Sequence, residues 1–174
     1  MKRKIELKDY AGRILDAVGK GVLLTTKAHG QVNTMAIGWG TLGIQWKEPI
    51  FIAFVRQSRY TKTLLDENPE FTVNIPLGQP DSRIISLCGS ASGRDTDKFK
   101  ELGLTQEEPL TVSVPGIREM PLTLECKVIY RQDQELSGIE PENLDRFYKK
   151  NTPDEGDFHT AYYGRITAAY LIED

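Results

Sequence analysis

The chain has 174 residues, 39% of them hydrophobic and 27% charged, with a formal net charge of −3. A chain of this length buries about 70% of the surface that its unfolded form exposes, so it can build a core without disulfides or a structural metal. The acidic balance argues against a general nucleic-acid binder, whose affinity rests on neutralising phosphates; the two cysteines, Cys88 and Cys126, make no disulfide scaffold; and no apolar run approaches the roughly 18 residues that cross a membrane.

Charged residues Glu6, Lys8 and Asp9 interrupt the N-terminal segment, so it does not read as a secretory signal. The expectation is one domain over residues 1–174, in a reducing cytoplasm. Along the chain, residues 10–18 read as a short helix, with Ile14, Leu15 and Val18 on one face and Gly19 and Gly21 ending it. Strands follow over Val22–Thr26, Val32–Trp39 and Pro49–Val55, with a turn at His29-Gly30 between the first two. Ser58 reads as the N-cap of a helix running to Glu67 and stopped by Asn68-Pro69. Phe71–Ile75 is a strand and Asp81–Leu87 a helix. Ser92-Gly93-Arg94-Asp95 resembles a capping box before a helix at Asp97–Leu102. Leu110–Val114 and Leu122–Tyr130 read as strands, Pro141–Lys149 as a helix and Tyr162–Ile172 as a final strand. The elements do not alternate strictly between strand and helix. The pattern is that of a mainly β fold, an antiparallel barrel or sheet with helices outside.

Gly38-Trp39-Gly40-Thr41-Leu42-Gly43 matches the G-x-G-x-x-G string. A dinucleotide site needs the third glycine to open a helix facing the pyrophosphate. Here a strand beginning at Pro49 follows too closely for a helix, so the glycines read as a turn or barrel corner. The segment Arg56-Gln57-Ser58-Arg59-Tyr60-Thr61-Lys62 is more informative. Cations at a helix start oppose the helix dipole by about 0.3–1 kcal/mol each. Either a bound phosphate removes that cost, held by backbone N–H groups, the Ser58 and Thr61 hydroxyls and one or two basic side chains, or the segment is a plain N-cap with solvated basic residues. Asn33, a poor strand former, either offers its amide to a ring system or finishes a hairpin turn with Gly30, and Asn74, polar within an apolar strand, either faces solvent or contacts something polar. His29, His159, Cys88 and Cys126 show no zinc-ligand spacing, so no metal site is expected. No G-x-S-x-G element or other catalytic signature is present.

Taken in order, five segments resemble a known family. They are Asn33-Thr34-Met35-Ala36 with Gly38-Trp39-Gly40; Arg56-Gln57-Ser58-Arg59-Tyr60-Thr61; Glu70 to Pro76; Cys88 to Asp95 with Lys98-Phe99; and His159 to Ile166. Over about residues 5–172 the chain resembles the flavin reductase-like, flavoredoxin-like branch of the FMN-binding split barrels. The resemblance implies an antiparallel Greek-key β-barrel with flanking helices, homodimeric, with FMN in a groove at or near the subunit interface. It implies a phosphate loop at Ser58, Arg59 and Thr61, with Arg56 and Tyr60 beside it. Asn33, Thr34, Met35 and Ala36 would meet the isoalloxazine, with Trp39 nearby. Asn74, Ser90 and Ser92 would line the ribityl side, and His159 and Tyr163 would approach from the C-terminal segment. Ala91 stands where many relatives have a lysine, and Arg94 or Lys62 are the expected substitutes. The reactive atoms would be those of the cofactor, so no catalytic side chain is expected. Electrons would come from NAD(P)H or a redox protein. The alternatives are a flavin store or sensor, or a heme-binding relative.

Overall fold

The computed structural model describes residues 1–148 and 155–173. Strand β1 (Lys2–Lys4) leads into helix α1 (Leu7–Val18). Strands β2 (Val22–Ala28), β3 (Gln31–Ile37), β4 (Gly40–Gln45) and β5 (Glu48–Arg56) follow, then helix α2 (Tyr60–Glu67) and strand β6 (Glu70–Ile75). Helices α3 (Ser82–Ser90) and α4 (Lys98–Leu102) come next, with a small ribbon of β7 (Gln106–Glu107) and β8 (Gly116–Ile117). The chain then runs through β9 (Leu122–Asp133), a 3₁₀ turn at Leu136–Gly138, helix α5 (Pro141–Phe147) and β10 (His159–Ile172).

The large sheet is antiparallel throughout, in the order β3-β2-β6-β9-β10-β5-β4, with β1 extending the pairing along the end of β10. Consecutive β5 and β6 are thus separated by β10 and β9, a Greek-key connection carried over by α2. Two hairpins set the register at each end. His29-Gly30 joins β2 to β3 and Trp46-Lys47 joins β4 to β5, and all four residues have positive φ. That is the conformation whose twist matches paired strands in a two-residue turn.

The sheet coils on itself. Leu24 of β2, Ile37 of β3, Phe51 and Ala53 of β5, Val73 of β6, Leu124 of β9 and Tyr162 of β10 share one buried cluster with Ile14 and Val18 of α1. Strands from opposite ends of the order can meet one core only if the sheet curls, and α1 fills its interior opening. On the outer face, Leu23 of β2 packs with Ile84 and Cys88 of α3, Phe99 of α4, and Ile117. Gly164 permits tight packing within the barrel: a Cβ there would lie 2.4 Å from Phe71 Cζ.

Four expectations change. The glycine-rich stretch 38–43 is not one turn. The bend is confined to Gly38-Trp39, and β4 pairs with β5 from Gly40 on. Gly40 is required because a Cβ would lie 2.5 Å from Phe51 Cζ. Leu110–Val114 is not a strand, because its amides go to carboxylates instead of a neighbouring strand. Leu110 and Thr111 donate to Glu125, and Ser113 donates to Glu70. The N-cap of α2 is Arg59 and not Ser58. Asp97, not the Ser92 segment, caps α4 by accepting from the Lys100 amide. The expected helix ending at Lys149 is described only to Phe147, and Lys149 lies outside the described residues.

Candidate functional site

A groove runs along β3 and beyond its C-terminal end. Its first cavity is lined by Asn33, Met35, the Ser58–Thr61 segment, Cys88 to Gly93 and Lys98. A second cavity shares Met35 and Arg59 and continues past Ala36, Gly38, Trp39, Phe54, Arg56 and His159. The groove therefore lies where β3, at one end of the sheet order, comes beside β5 and the start of β10.

The first cavity is built for an anion. The α2 helix is short and has no acidic residue in its first turn. The Tyr60 and Thr61 amides, which precede any intrahelical partner, make no hydrogen bond among the described residues. The same holds for the Ser92 and Gly93 amides on the opposite wall. Arg59 is exposed at the mouth, and no carboxylate lies within ion-pair distance of it among the described residues. Buried Asn33 donates from Nδ2 to Thr61 Oγ1 at 2.9 Å, fixing β3 to α2. Gly93 closes against this pair: a Cβ there would sit 2.1 Å from Asn33 Oδ1. Open N–H groups at a helix start, opposite a second amide pair and beside a cation, fit a phosphate group.

Lys98 also lies on the wall of the first cavity. It is 4% exposed, and its ammonium donates to the Thr34 carbonyl at 2.8 Å. Burial pushes its pKa below the usual lysine value, the Cys88 thiol opposes that shift, and the Arg59 guanidinium adds to it. The expected substitutes for a lysine at Ala91 do different work. Lys62 is bound to Asp66 and Tyr162. Arg94 stacks on the Tyr60 ring and donates to the Ser58 carbonyl and to Thr63.

The second cavity ends in aromatic walls. Trp39, 41% exposed, meets Phe147 edge-on at 4.9 Å and the His159 ring at 5.0 Å. His159 Nδ1 and the Tyr148 hydroxyl are 2.6 Å apart. Arg56 lies over the Tyr148 ring at 5.2 Å and donates to the carbonyls of Phe147 and Asp157. Burial pushes the Tyr148 hydroxyl up, with Arg56 opposing. Phe147 and Tyr148 were missed from sequence. The only signal was an aromatic pair at a helix end, and nothing local says that α5 folds back to Trp39.

The structure brings most expected residues together: Asn33, Met35, Ala36, Trp39, Arg56, Ser58, Arg59, Tyr60, Thr61, Ser90, Ser92 and His159 all line the two cavities. Three do not. Thr34 Oγ1 is occupied by Thr25 and the Leu24 carbonyl, so only its backbone carbonyl reaches the site, through Lys98. Asn74 is fully buried, donates to Thr25 and Thr72 and accepts from the Ile117 amide, a polar staple away from the groove. Tyr163 packs against Tyr130 on the outside of the sheet. Within the lining set, the Ser58 amide and hydroxyl are committed to the Asp157 carboxylate at 2.9 and 2.6 Å. Tyr60 donates its hydroxyl to Gln31, Ser90 donates to the Ser86 carbonyl, and Ser92 accepts from the Arg94 amide. Among the described residues no cluster could hold a metal ion, and no helix is long and apolar enough to cross a membrane.

A coiled antiparallel Greek-key sheet with helices outside, and a groove joining an anion cradle to an aromatic wall, defines a split-barrel protein. The model of the flavin reductase like domain matches residues 17–174, and the chain belongs to that family. It is similar to a protein of Archaeoglobus fulgidus, 31% identical over 97 residues and 56% of this chain. It is also similar to YddH of Escherichia coli K12, 29% identical over 69% of this chain. The matches span 54% and 64% of those two proteins' own lengths. Among solved structures, flavoredoxin of Desulfovibrio vulgaris (Miyazaki F) is 25% identical, with a TM-score of 0.66 over 88% of this chain and 69% of its own. A Shewanella frigidimarina protein with a split barrel domain superposes at 0.66, with 17% identity, over 98% and 76% of the chains. The flavin reductase HpaC, complexed with NADP+, superposes at 0.62, with 14% identity, over 94% and 88%.

Proposed function

We propose that this chain is an FMN-dependent oxidoreductase of the flavin reductase or flavoredoxin type. It takes electrons from NAD(P)H or a redox protein and passes them to a separate acceptor. The carrying observation is the continuous groove from the open Tyr60, Thr61, Ser92 and Gly93 amides to the Trp39–His159 wall. FMN has a dianionic phosphate at one end and a flat ring at the other, and when bound it supplies the electron-accepting ring system. Arg59, the Thr61 hydroxyl and the four amides hold the phosphate. Met35 and Ala36 give the ring a flat strand edge. Trp39, Phe147 and His159 exclude water at the ring end, and the Tyr148 hydroxyl fixes the His159 ring through Nδ1. No side chain is required to carry a covalent step. The protein acts in the cytoplasm and as a homodimer.

The test is the visible absorption spectrum of purified protein before and after adding FMN and desalting, then anaerobic mixing with NADH or NADPH. A retained two-band flavin spectrum that bleaches at a catalytic rate supports the proposal. A flavin reduced only by dithionite turns it into a carrier or sensor, and a Soret band overturns it. Replacing Arg59 and Thr61 together with Ala should weaken FMN binding at least tenfold, about 1.4 kcal/mol.

A further inference from the structure

A separate cleft opens away from the groove, between α1 and the segment that leads from β6 into α3. Its volume is about 710 Å³, within the roughly 300–1,000 Å³ that small-molecule sites span. It shares no lining residue with either cavity of the groove. Arg13, Asp16 and Ala17 of α1, and Lys20 just beyond it, recur at i, i+3, i+4 and i+7 and so face the cleft together. Ala17 is the smallest of the four and leaves room beside the helix. On the opposite side, Pro76 and Pro80 bracket an arch of Leu77, Gly78 and Gln79, and their fixed φ angles stiffen it. The arch holds Leu77 on the wall of the cleft at 40% exposure. Ile85 of α3 adds a further apolar wall, pinned by the turn after α1: a Cβ on Gly21 would lie 3.0 Å from Ile85 Cγ2. Apolar side chains from three segments thus converge on open space.

The charged side chains that line the cleft are Arg13, Lys20 and Asp16. Two cations and one carboxylate leave a single positive charge. Among the described residues no carboxylate lies within ion-pair distance of Arg13 or Lys20. Water solvates such cations at an open surface, but it gains nothing from Leu77, Ile85 and the prolines beside them. An occupant that covers the apolar walls and ends in one negative charge suits both. A dianion would leave a charge uncompensated beside Asp16. A neutral apolar molecule would desolvate the two cations without neutralising them. We propose that this cleft is a second ligand site and that it takes a small amphipathic monocarboxylate. The apolar body lies against Leu77 and Ile85, and the carboxylate meets Arg13 and Lys20. The site is independent of what fills the groove. It sits at the opposite end of α3 from it: Ser82, Ile85 and Ser86 wall the cleft, whereas Cys88 to Ser90 wall the groove.

The experiment is titration calorimetry on the full chain with octanoate, octanol and acetate. Wild type should bind octanoate at least tenfold more tightly than acetate, which has the charge but no apolar body. Arg13→Gln combined with Lys20→Gln should lose about fivefold for octanoate, the scale of two exposed ion pairs, and leave octanol unchanged. Leu77→Ser should weaken both octanoate and octanol. All three side chains are exposed, so these variants should fold. Acetate binding as tightly as octanoate overturns the proposal. So does a charge variant that leaves octanoate unmoved or weakens octanol equally, or a Leu77→Ser that changes neither. A second measurement needs no variant and locates the ligand. In ¹⁵N-labelled wild type, millimolar octanoate should move the amide signals of Ala17, Leu77 and Ile85 and leave those of Met35 and Trp39 in place. No shift at the cleft, or shifts at the groove as large as those at the cleft, overturns the site.

Discussion

Gly93 shows how little slack the site has. A methyl group there would meet Asn33 Oδ1 at 2.1 Å and Tyr60 Cδ1 at 2.9 Å. Either the turn or Asn33 must move, and moving Asn33 breaks its bond to Thr61. Gly93→Ala should therefore raise the FMN dissociation constant at least tenfold in a fluorescence titration, with an overpacking cost of ~1–3 kcal/mol in stability. Unchanged FMN affinity would place the anion elsewhere. The cysteines behave oppositely, as inert packing. Burial pushes the Cys88 thiol up to about 11 and the Cys126 thiol well above the ordinary range. Residue types alone pointed to the cationic helix start, and Arg59 and Thr61 stand where that argument put them. Ser58 did not follow, because Asp157, 99 positions away in sequence, takes both its donors. No local pattern encodes that partner. Asn74 misled for the same reason: a polar residue in an apolar strand needs partners, and here other buried side chains and the Ile117 amide supply them.

Among the elements, α2 is tied to β9 and β10 by one carboxylate. Asp66 accepts from Lys62 at 2.6 Å, from the Tyr162 hydroxyl at 2.6 Å and from Arg131 at 2.8 Å. Burial alone would raise its pKa, but the Lys62 and Tyr162 hydrogen bonds and the charges of Lys62 and Arg131 outweigh it, so the carboxyl stays below its usual value. A depressed folded value stabilises above the unfolded pKa of about 4 and loses that contribution as the pH falls through the folded value. Asp66→Asn should cost ~1 kcal/mol at pH 7, the scale of charge-assisted bonds partly open to water. In urea unfolding the difference from wild type should shrink as the pH falls below about 4; a gap that stays constant with pH would show that packing, not charge, is lost. Strands whose hydrophobic pattern is strong, such as Pro49–Val55 and Leu122–Tyr130, were legible within a few residues. Leu110–Val114 was not. Its β-favouring residues are overruled by Glu125, a fully buried carboxylate that takes two of its amides, the Thr111 hydroxyl and the Tyr170 hydroxyl.

For the molecule as a whole, the outer face of the sheet carries exposed apolar side chains. Trp46 is 62% exposed, Ile44 71% and Tyr130 42%. Trp46, Tyr130 and Tyr163 contact one another in a row, at 6.3 and 5.0 Å. The proposed homodimer would cover this row. Light scattering on the eluting protein should give twice the chain mass, and Trp46→Glu should shift it toward the monomer. A wild-type monomer would remove the dimer. The Greek-key order has a consequence for how the chain is made. The strands at the centre of the sheet, β9 and β10, are made after all the other strands they pair with. Until they emerge, β3-β2-β6 and β5-β4 are two separate fragments with open, apolar edges, surfaces that invite wrong pairing. His159 and β3, which face each other across the groove, belong to segments joined only when β9 and β10 enter the sheet. Cofactor binding can therefore report closure of the sheet: a nascent chain arrested before residue 120 should depend on chaperones and hold no flavin.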